Sequence, residues 1–319
     1  MLKVLALVVA AAAVVSNANA QQWPNKPVRV IVNVAPGGVA DITARVLGAR
    51  LQETLGQPFI IENRAGGDGY IGFEPVVRAD PDGYLMVYAP GSTVMIAPHI
   101  VRRSDLDPSR ALTPVAATGS VSLYIMTHPN VPVPDFKEFL AYARANPGKL
   151  NYGSPGNGTS PHIATEVFNR EAKVKMNHIP YKGAGPALKD LLGGQIDLVF
   201  DPGVGIAQAK AGKLRKIAIA GPNRHPDFPE VPTLQVKGIK GDDVGPYFGF
   251  YTTAGTPREA IERMNREVIK AMQEPVVRER FKALAVDLAE PMTPEQFGAY
   301  VRSEYQRYSK LIPELGIAK

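Results

Sequence analysis

The sequence predicts an α/β fold with largely parallel sheets, and two patterns carry that expectation. Short β-rich runs alternate with amphipathic helical segments along most of the chain, the arrangement that builds parallel sheets through helical crossovers. Two glycine-rich turns, Ala35 to Asp41 and Gly153 to Ser160, each join a strand run to a helical run. Their separation suggests two lobes, one turn to each. A length of 319 residues allows one or two domains, and the chain has no internal repeat and no low-complexity linker.

Val28 to Val34 reads as a buried strand, followed by a helix with Ile42, Val46, Leu47 and Leu51 on one face. Phe59 to Glu62 and Leu85 to Ala89 are the next strands, and Val121 to Thr127 is another. Asp135 is the expected N-cap of a helix that turns Phe136, Phe139, Leu140 and Ala143 inward. Further strands fall at Leu150 to Gly153, Met176 to Ile179, Leu198 to Asp201 and Lys216 to Ala220. The last third changes character. Thr256-Pro257-Arg258-Glu259 reads as a capping box with proline at the first helical position, opening a helix with Ile261, Met264, Val268 and Met272 inward. Thr293-Pro294-Glu295-Gln296 repeats the device ahead of Phe297, Tyr300, Val301, Tyr308 and Leu311.

The first twenty residues read as an export signal. Lys3 precedes an apolar run from Val4 to Val15, and Ala18-Asn19-Ala20 presents small residues for cleavage, so the mature chain is expected to start at Gln21. The run is shorter than the roughly 20 residues that span a bilayer. The chain has no cysteine, which excludes disulfides, cysteine-based metal sites and a lipid anchor on a cysteine after the signal. The expectation is a periplasmic monomer held by its own core. A net charge of +6 raises the question of nucleic acid. Yet no basic run exceeds Arg102-Arg103 and no aromatic platform is interleaved with the basic residues, so a solvated surface with a mild pull on anions fits better.

In open α/β sheets, ligands gather where strands end and helices begin. A helix start offers unpaired N–H groups and about half a positive charge, which suits a carboxylate. The first turn, Pro36-Gly37-Gly38-Val39-Ala40-Asp41, reads either as an amide cradle with Asp41 fixing the loop or as a tight connection that Asp41 caps. The second, Ser154-Pro155-Gly156-Asn157-Gly158-Thr159-Ser160, gathers two glycines and several hydrogen-bonding side chains, with Ser160 as expected N-cap and Pro161 as first helical residue. That cluster favours an anion site over a plain polar loop. The candidate ligand-binding residues are Gly37, Gly38, Val39, Asp41, Ser154, Gly156, Asn157, Gly158 and Thr159, with Ser92 and Thr93 adding hydroxyls. Asp201 ends a buried strand where cleft residues sit, although a lone carboxylate there is more often a turn cap. Lys182 either assists an anion or is solvated. No phosphate-loop signature follows either turn, no nucleophile elbow is present, and the five histidines lack metal-ligand spacing. No catalytic residue, metal or cofactor is expected.

At these residues the chain resembles the solute-binding proteins of tripartite tricarboxylate transporters, the Bug group. The matching pieces include Trp23-Pro24 through Val28-Arg29-Val30-Ile31-Val32, Pro36-Gly37-Gly38 with Asp41 and Ala44-Arg45, and Glu62-Asn63-Arg64 with Gly66-Gly67. Asp80-Pro81-Asp82-Gly83-Tyr84, Tyr152 to Thr159 with His162, Pro180-Tyr181-Lys182-Gly183, Asp190 to Asp197 and Thr253 to Pro257 follow in the family's order. The resemblance implies a two-lobed type II periplasmic binding protein fold with a ligand cleft between lobes. It places one lobe at 21–121 plus 247–319 and the other at 122–246, with crossings near Val121 and Pro246. It implies that the two turns grip one carboxylate of an organic mono- or dicarboxylate, partly through water, and that the loaded protein docks on a membrane permease. Pro155 inside the second turn, and Gly245-Pro246-Tyr247-Phe248 where the family carries a tryptophan, depart from the pattern and bear on the solute rather than the fold. The alternatives are a secreted hydrolase using Ser154 or Ser160 with His162, and a ligand-sensing module for a membrane sensor.

Overall fold

The computed structural model describes residues 23–101, 106–221, 223–225, 227–239 and 245–317. The export signal and Arg102-Arg103 lie outside the described residues. The chain opens with strand β1 (Val28–Val32), helix α1 (Val39–Leu55), β2 (Phe59–Asn63), α2 (Tyr70–Val77), β3 (Leu85–Ala89), the short α3 (Gly91–Met95) and α4 (Pro108–Ala111), and β4 (Leu112–Val121). Next come β5 (Leu123–Thr127), α5 (Phe136–Ala145), β6 (Asn151–Ser154), α6 (Ser160–Ala172), β7 (Asn177–Pro180), α7 (Ala184–Leu192), β8 (Leu198–Asp201), α8 (Ile206–Lys210) and β9 (Arg215–Ala220). It closes with β10 (Phe248–Thr253), α9 (Arg258–Gln273), α10 (Pro275–Ala283), β11 (Val286–Leu288) and α11 (Pro294–Glu314).

These strands form two sheets, ordered β11-β4-β10-β3-β1-β2 and β7-β6-β8-β5-β9. The expected run Val121 to Thr127 is therefore two strands, broken at Ser122, one in each sheet. The sheets are also less parallel than the alternation predicts. β1 runs parallel to β2 and β3, and β6 to β7 and β8, but β10, β11 and β5 pair antiparallel with their neighbours. The reason is connectivity: β5 enters its sheet from the other one, and β10 returns, so each runs against the strands beside it.

Side-chain alternation builds a core on both faces of each sheet. Val28, Val30 and Val32 pack with Val39, Leu47, Met264 and Val268, whereas Ile31 faces Tyr70, Phe73, Phe297 and Tyr308. The six-stranded sheet thus lies between α1 with α9 and α2 with α11. In the five-stranded sheet Ile125 packs with Phe139 and Phe168, and Met126 with Leu191 and Ile206. The buried face of α1 is rotated from the expected one: Val39, Thr43, Ala44, Leu47 and Leu51 are buried, and Ile42 and Val46 are half-buried.

The caps divide. Asp135 accepts from the Glu138 amide at 2.9 Å, and Thr293 with Gln296 forms a complete capping box. Thr256 does not cap. Its hydroxyl donates to the Thr253 carbonyl at 2.9 Å and pairs with the Thr252 hydroxyl at 3.0 Å, and Pro257 occupies the N-cap of α9. Ser160 is likewise the first helical residue of α6, with Thr159 at the N-cap.

Candidate functional site

Both glycine-rich turns reach the boundary between the two sheets, and a cavity of about 70 Å³ lies there. Its walls include Gly38, Val39 and Ala40 at the start of α1, Thr159, Ser160 and Pro161 at the start of α6, and Gly183 and Ala184 at the start of α7. The first amides of a helix have no carbonyl in their own helix to donate to. Three such ends therefore meet at one small space, each carrying a partial positive charge. Ser92, Thr93, Pro155 and Phe248 complete much of the rest. Pro155 and Phe248 belong to the two segments that the resemblance drawn from the sequence marks as departures.

The first turn is fixed from beneath by a charge network. Gly37 donates its amide to Asp41 Oδ2 at 2.9 Å, and Arg45 Nε donates to Asp41 Oδ1 at 2.9 Å. Arg45 also donates to Asn63 Oδ1 at 2.8 Å, and Asn63 Nδ2 donates to the Val34 carbonyl at 3.2 Å. Burial pushes the Asp41 carboxyl up, but the Gly37 amide, Arg45 and Asn63 together outweigh it and hold it below the usual carboxylate range. Asp41 thus fixes the loop through the Gly37 amide, and Gly38 rather than Asp41 takes the N-cap.

The second turn is fixed by histidines. Gly158 donates its amide to His162 Nδ1 at 3.1 Å, and Ser154 Oγ meets His178 Nε2 at 2.6 Å. The His162 and His178 rings stack at 4.0 Å between centroids, and Tyr152 stacks on His178 at 4.9 Å. Burial holds His178 down at about 4, and burial together with its neighbour holds His162 down at about 3. Both rings are neutral at physiological pH. The pairing of Ser154 with His162 on which the hydrolase alternative rests does not form. The Ser154 hydroxyl is fully buried and also bonded within its own loop, to Gly156. Such a group is a brace rather than an accessible nucleophile.

Gly38, Val39, Ser92, Thr93 and Thr159 line the cavity, while Gly37, Asp41, Ser154, Gly156, Asn157, Gly158 and Asp201 stand behind it or beside it. Asp201 Oδ2 accepts from the Gly203 amide at 2.8 Å and the Gly205 amide at 2.9 Å. Burial raises its carboxyl to about 6 against the pull of those amides. It shapes the turn that carries Pro202 to the cavity. Thr159 donates its hydroxyl to the Gly156 carbonyl at 2.7 Å, and Thr93 donates to the Pro90 carbonyl at 2.8 Å while accepting from Asn33 at 3.0 Å. By contrast, no hydrogen bond within the described residues engages the Ser92 or Ser160 hydroxyl, although both residues are largely buried. Sequence reasoning missed Gly183, Ala184 and Pro202 as wall residues. The strand-to-helix punctuation at Pro180 to Pro186 was the signal for the first two.

The lobes touch across the cavity. The Asn157 amide donates to Asp68 Oδ1 at 3.2 Å, from the second turn to the loop after β2. A Cβ on Gly158 would lie 2.8 Å from Ala97 Cα, and one on Gly183 would lie 2.8 Å from Ala35 Cβ. Both glycines also have positive φ, 71° and 140°. Across the crossing strand lies a second, open groove of about 1040 Å³, lined by Ser122, Tyr124, His225, Met272, Arg278 and Asp287 among others.

Residues 43–317 match the model of a family described as the tripartite tricarboxylate transporter family receptor. The chain belongs to that family. It is 34% identical over 326 residues to Protein BugT of Bordetella pertussis, covering 99% of this chain and 97% of that one. Among solved structures it is similar to the periplasmic binding protein BugD, with 29% identity, a TM-score of 0.87 and coverage of 93% and 100%. An R. palustris protein solved with adipate has 28% identity, a TM-score of 0.88 and coverage of 93% and 99%. MatC from Rhodopseudomonas palustris, solved with bound malate, has 30% identity, a TM-score of 0.85 and coverage of 91% and 100%. The two-lobed periplasmic binding protein fold follows from the same matches.

Two outcomes are expected from this geometry. In Gly158→Ala the new methyl meets the backbone at Ala97, so small-angle scattering with saturating solute should give a larger radius of gyration than wild type. Affinity should fall at least tenfold. Asp68→Ala removes a hydrogen bond to a carboxylate, about 1.5 kcal/mol at the exposed end of the range, and should weaken binding roughly tenfold. Wild-type affinity in both would show that this contact plays no part in retention. The second outcome concerns pH. The unfolded chain takes up protons on His162 and His178 below about 6.5, which the fold refuses until about 3 and about 4. Their contribution to stability is therefore full above 6.5 and lost as pH falls towards 4. Asp201 works the other way, since the fold keeps its proton below about 6. Urea melts at pH 7 and pH 5 should show a smaller acid loss in His162→Gln/His178→Gln than in wild type; an equal loss would refute the neutral stack.

Proposed function

We propose that the protein captures a small organic carboxylate in the cavity between its lobes and delivers it to the membrane subunits of a tripartite transporter. The observation that supports this most is the meeting of the α1, α6 and α7 starts at a cavity with the unpartnered hydroxyls of Ser92 and Ser160. Amide donors and helix ends neutralise a carboxylate without a counter-ion. The adipate and malate named for two structural relatives support the same class of solute.

In this reading one carboxylate lies against the amides at the start of α1 and α6, and closure shuts it from water. Asp41, Arg45 and Asn63 hold one half of the cradle, and His162 with His178 holds the other. The protein performs no chemistry on its solute. It works in the periplasm as a monomer after its signal is cleaved behind Ala20. The family's description supports docking on a permease rather than on a sensor, with the closed lobe pair as the form presented.

A thermal-shift screen of carboxylates tests the site. A solute at about 100 times its dissociation constant should stabilise the native state by roughly 2.7 kcal/mol. Ser92→Ala and Ser160→Ala each remove one hydrogen bond to the carboxylate and should weaken binding about ten- to hundredfold in calorimetry. The recovered solute should be unchanged. Full affinity in both serine variants would mean that the anion is held elsewhere.

A further inference from the structure

The wall of the cavity away from the helix starts is hydrocarbon. Val121 and Leu123 flank the crossing at Ser122, and Phe248 opens β10 where the chain returns to the six-stranded sheet. Among the described residues, no acidic, basic or histidine side chain lines the cavity. Of its four hydroxyls, Thr93 and Thr159 are engaged by the protein. The remaining two, Ser92 and Ser160, sit at helix starts, where the first carboxylate would be held. The volume of about 70 Å³ corresponds to roughly five or six waters at about 12 Å³ each.

A second ionised group on the solute would therefore be buried beside apolar side chains with no counter-charge and no free side-chain donor, leaving only the start of α7 to face it. Burying such a group unpaired is strongly unfavourable. An ammonium meets the same obstacle, because the Asp41 carboxylate behind the first turn is already neutralised by Arg45 and Asp201 faces its own turn. We infer that the solute is a monocarboxylate whose remainder is compact, uncharged and apolar, such as a short or branched aliphatic acid. The inference rests on the carboxylate-binding reading above and narrows it. It also separates this chain from its adipate- and malate-bound relatives, which were solved with dicarboxylates.

Calorimetry on the full mature protein decides it with small probes that differ chiefly in their charged groups. Isovalerate is compared with valine, which adds an ammonium, with succinate and malate, which carry a second carboxylate, and with isovaleramide, which removes the charge. Isovalerate should bind at least a hundredfold more tightly than each of the others. Succinate, malate or valine binding as tightly as isovalerate would overturn the inference and leave the carboxylate reading standing. Isovaleramide binding as tightly as isovalerate, or no binding by any of the five, would overturn both.

Discussion

The contact between the two lobes rests on close approach of the main chain at two glycines. Gly158 lies against Ala97 and Gly183 against Ala35 at distances that leave no space for a side chain. The Asn157 amide reaches Asp68 across the same boundary. Hydrogen bonds between main chain and side chain give such a contact direction, while the missing side chains let the surfaces approach. The cavity is small, about 70 Å³, because these approaches are close. The depth of desolvation around an anion, and hence the strength of each amide donor, follows from that single constraint.

A second consequence concerns the division of labour among polar groups. The charged residues of the site do not face the cavity; they hold the loops that do. Asp41 and Arg45 are partners to each other and to the first turn, and Asp201 serves the turn at Gly203 and Gly205. His162 and His178 brace the second turn as neutral rings. A net anion can then be held by dipoles alone, with no cation to release when the lobes part. Under the proposed function, release of the solute would then break no ion pair in a low-dielectric space.

Much of this architecture is legible in the sequence, because it rests on local signals. The apolar run at Leu85 to Ala89 is a strand with those bounds, and the Asp135 and Thr293 caps form where their spacing places them. What escapes is set by long-range partners. Ser122 breaks a run of β-formers only because the strands on its two sides join different sheets. Thr256 carries a capping signature, yet the Thr252 hydroxyl and Thr253 carbonyl take its hydroxyl instead. The antiparallel members of both sheets follow from chain crossings that no local pattern encodes. At the site, the same limit hides His178, whose bond to Ser154 spans 24 positions, and Asp68, whose bond to Asn157 spans 89.

The strand that passes between the lobes has one more property. Its side chains alternate, so that Val121 and Leu123 turn to the solute cavity while Ser122 and Tyr124 turn to the broad groove beyond it. The two concavities are therefore the front and back of one narrow ribbon. A rotation of the lobes about that ribbon would work like a seesaw, widening one concavity as it narrowed the other. The groove, with Arg278 and Asp287 among its lining residues, would then carry on its own contour an outward copy of how wide the smaller cavity stands.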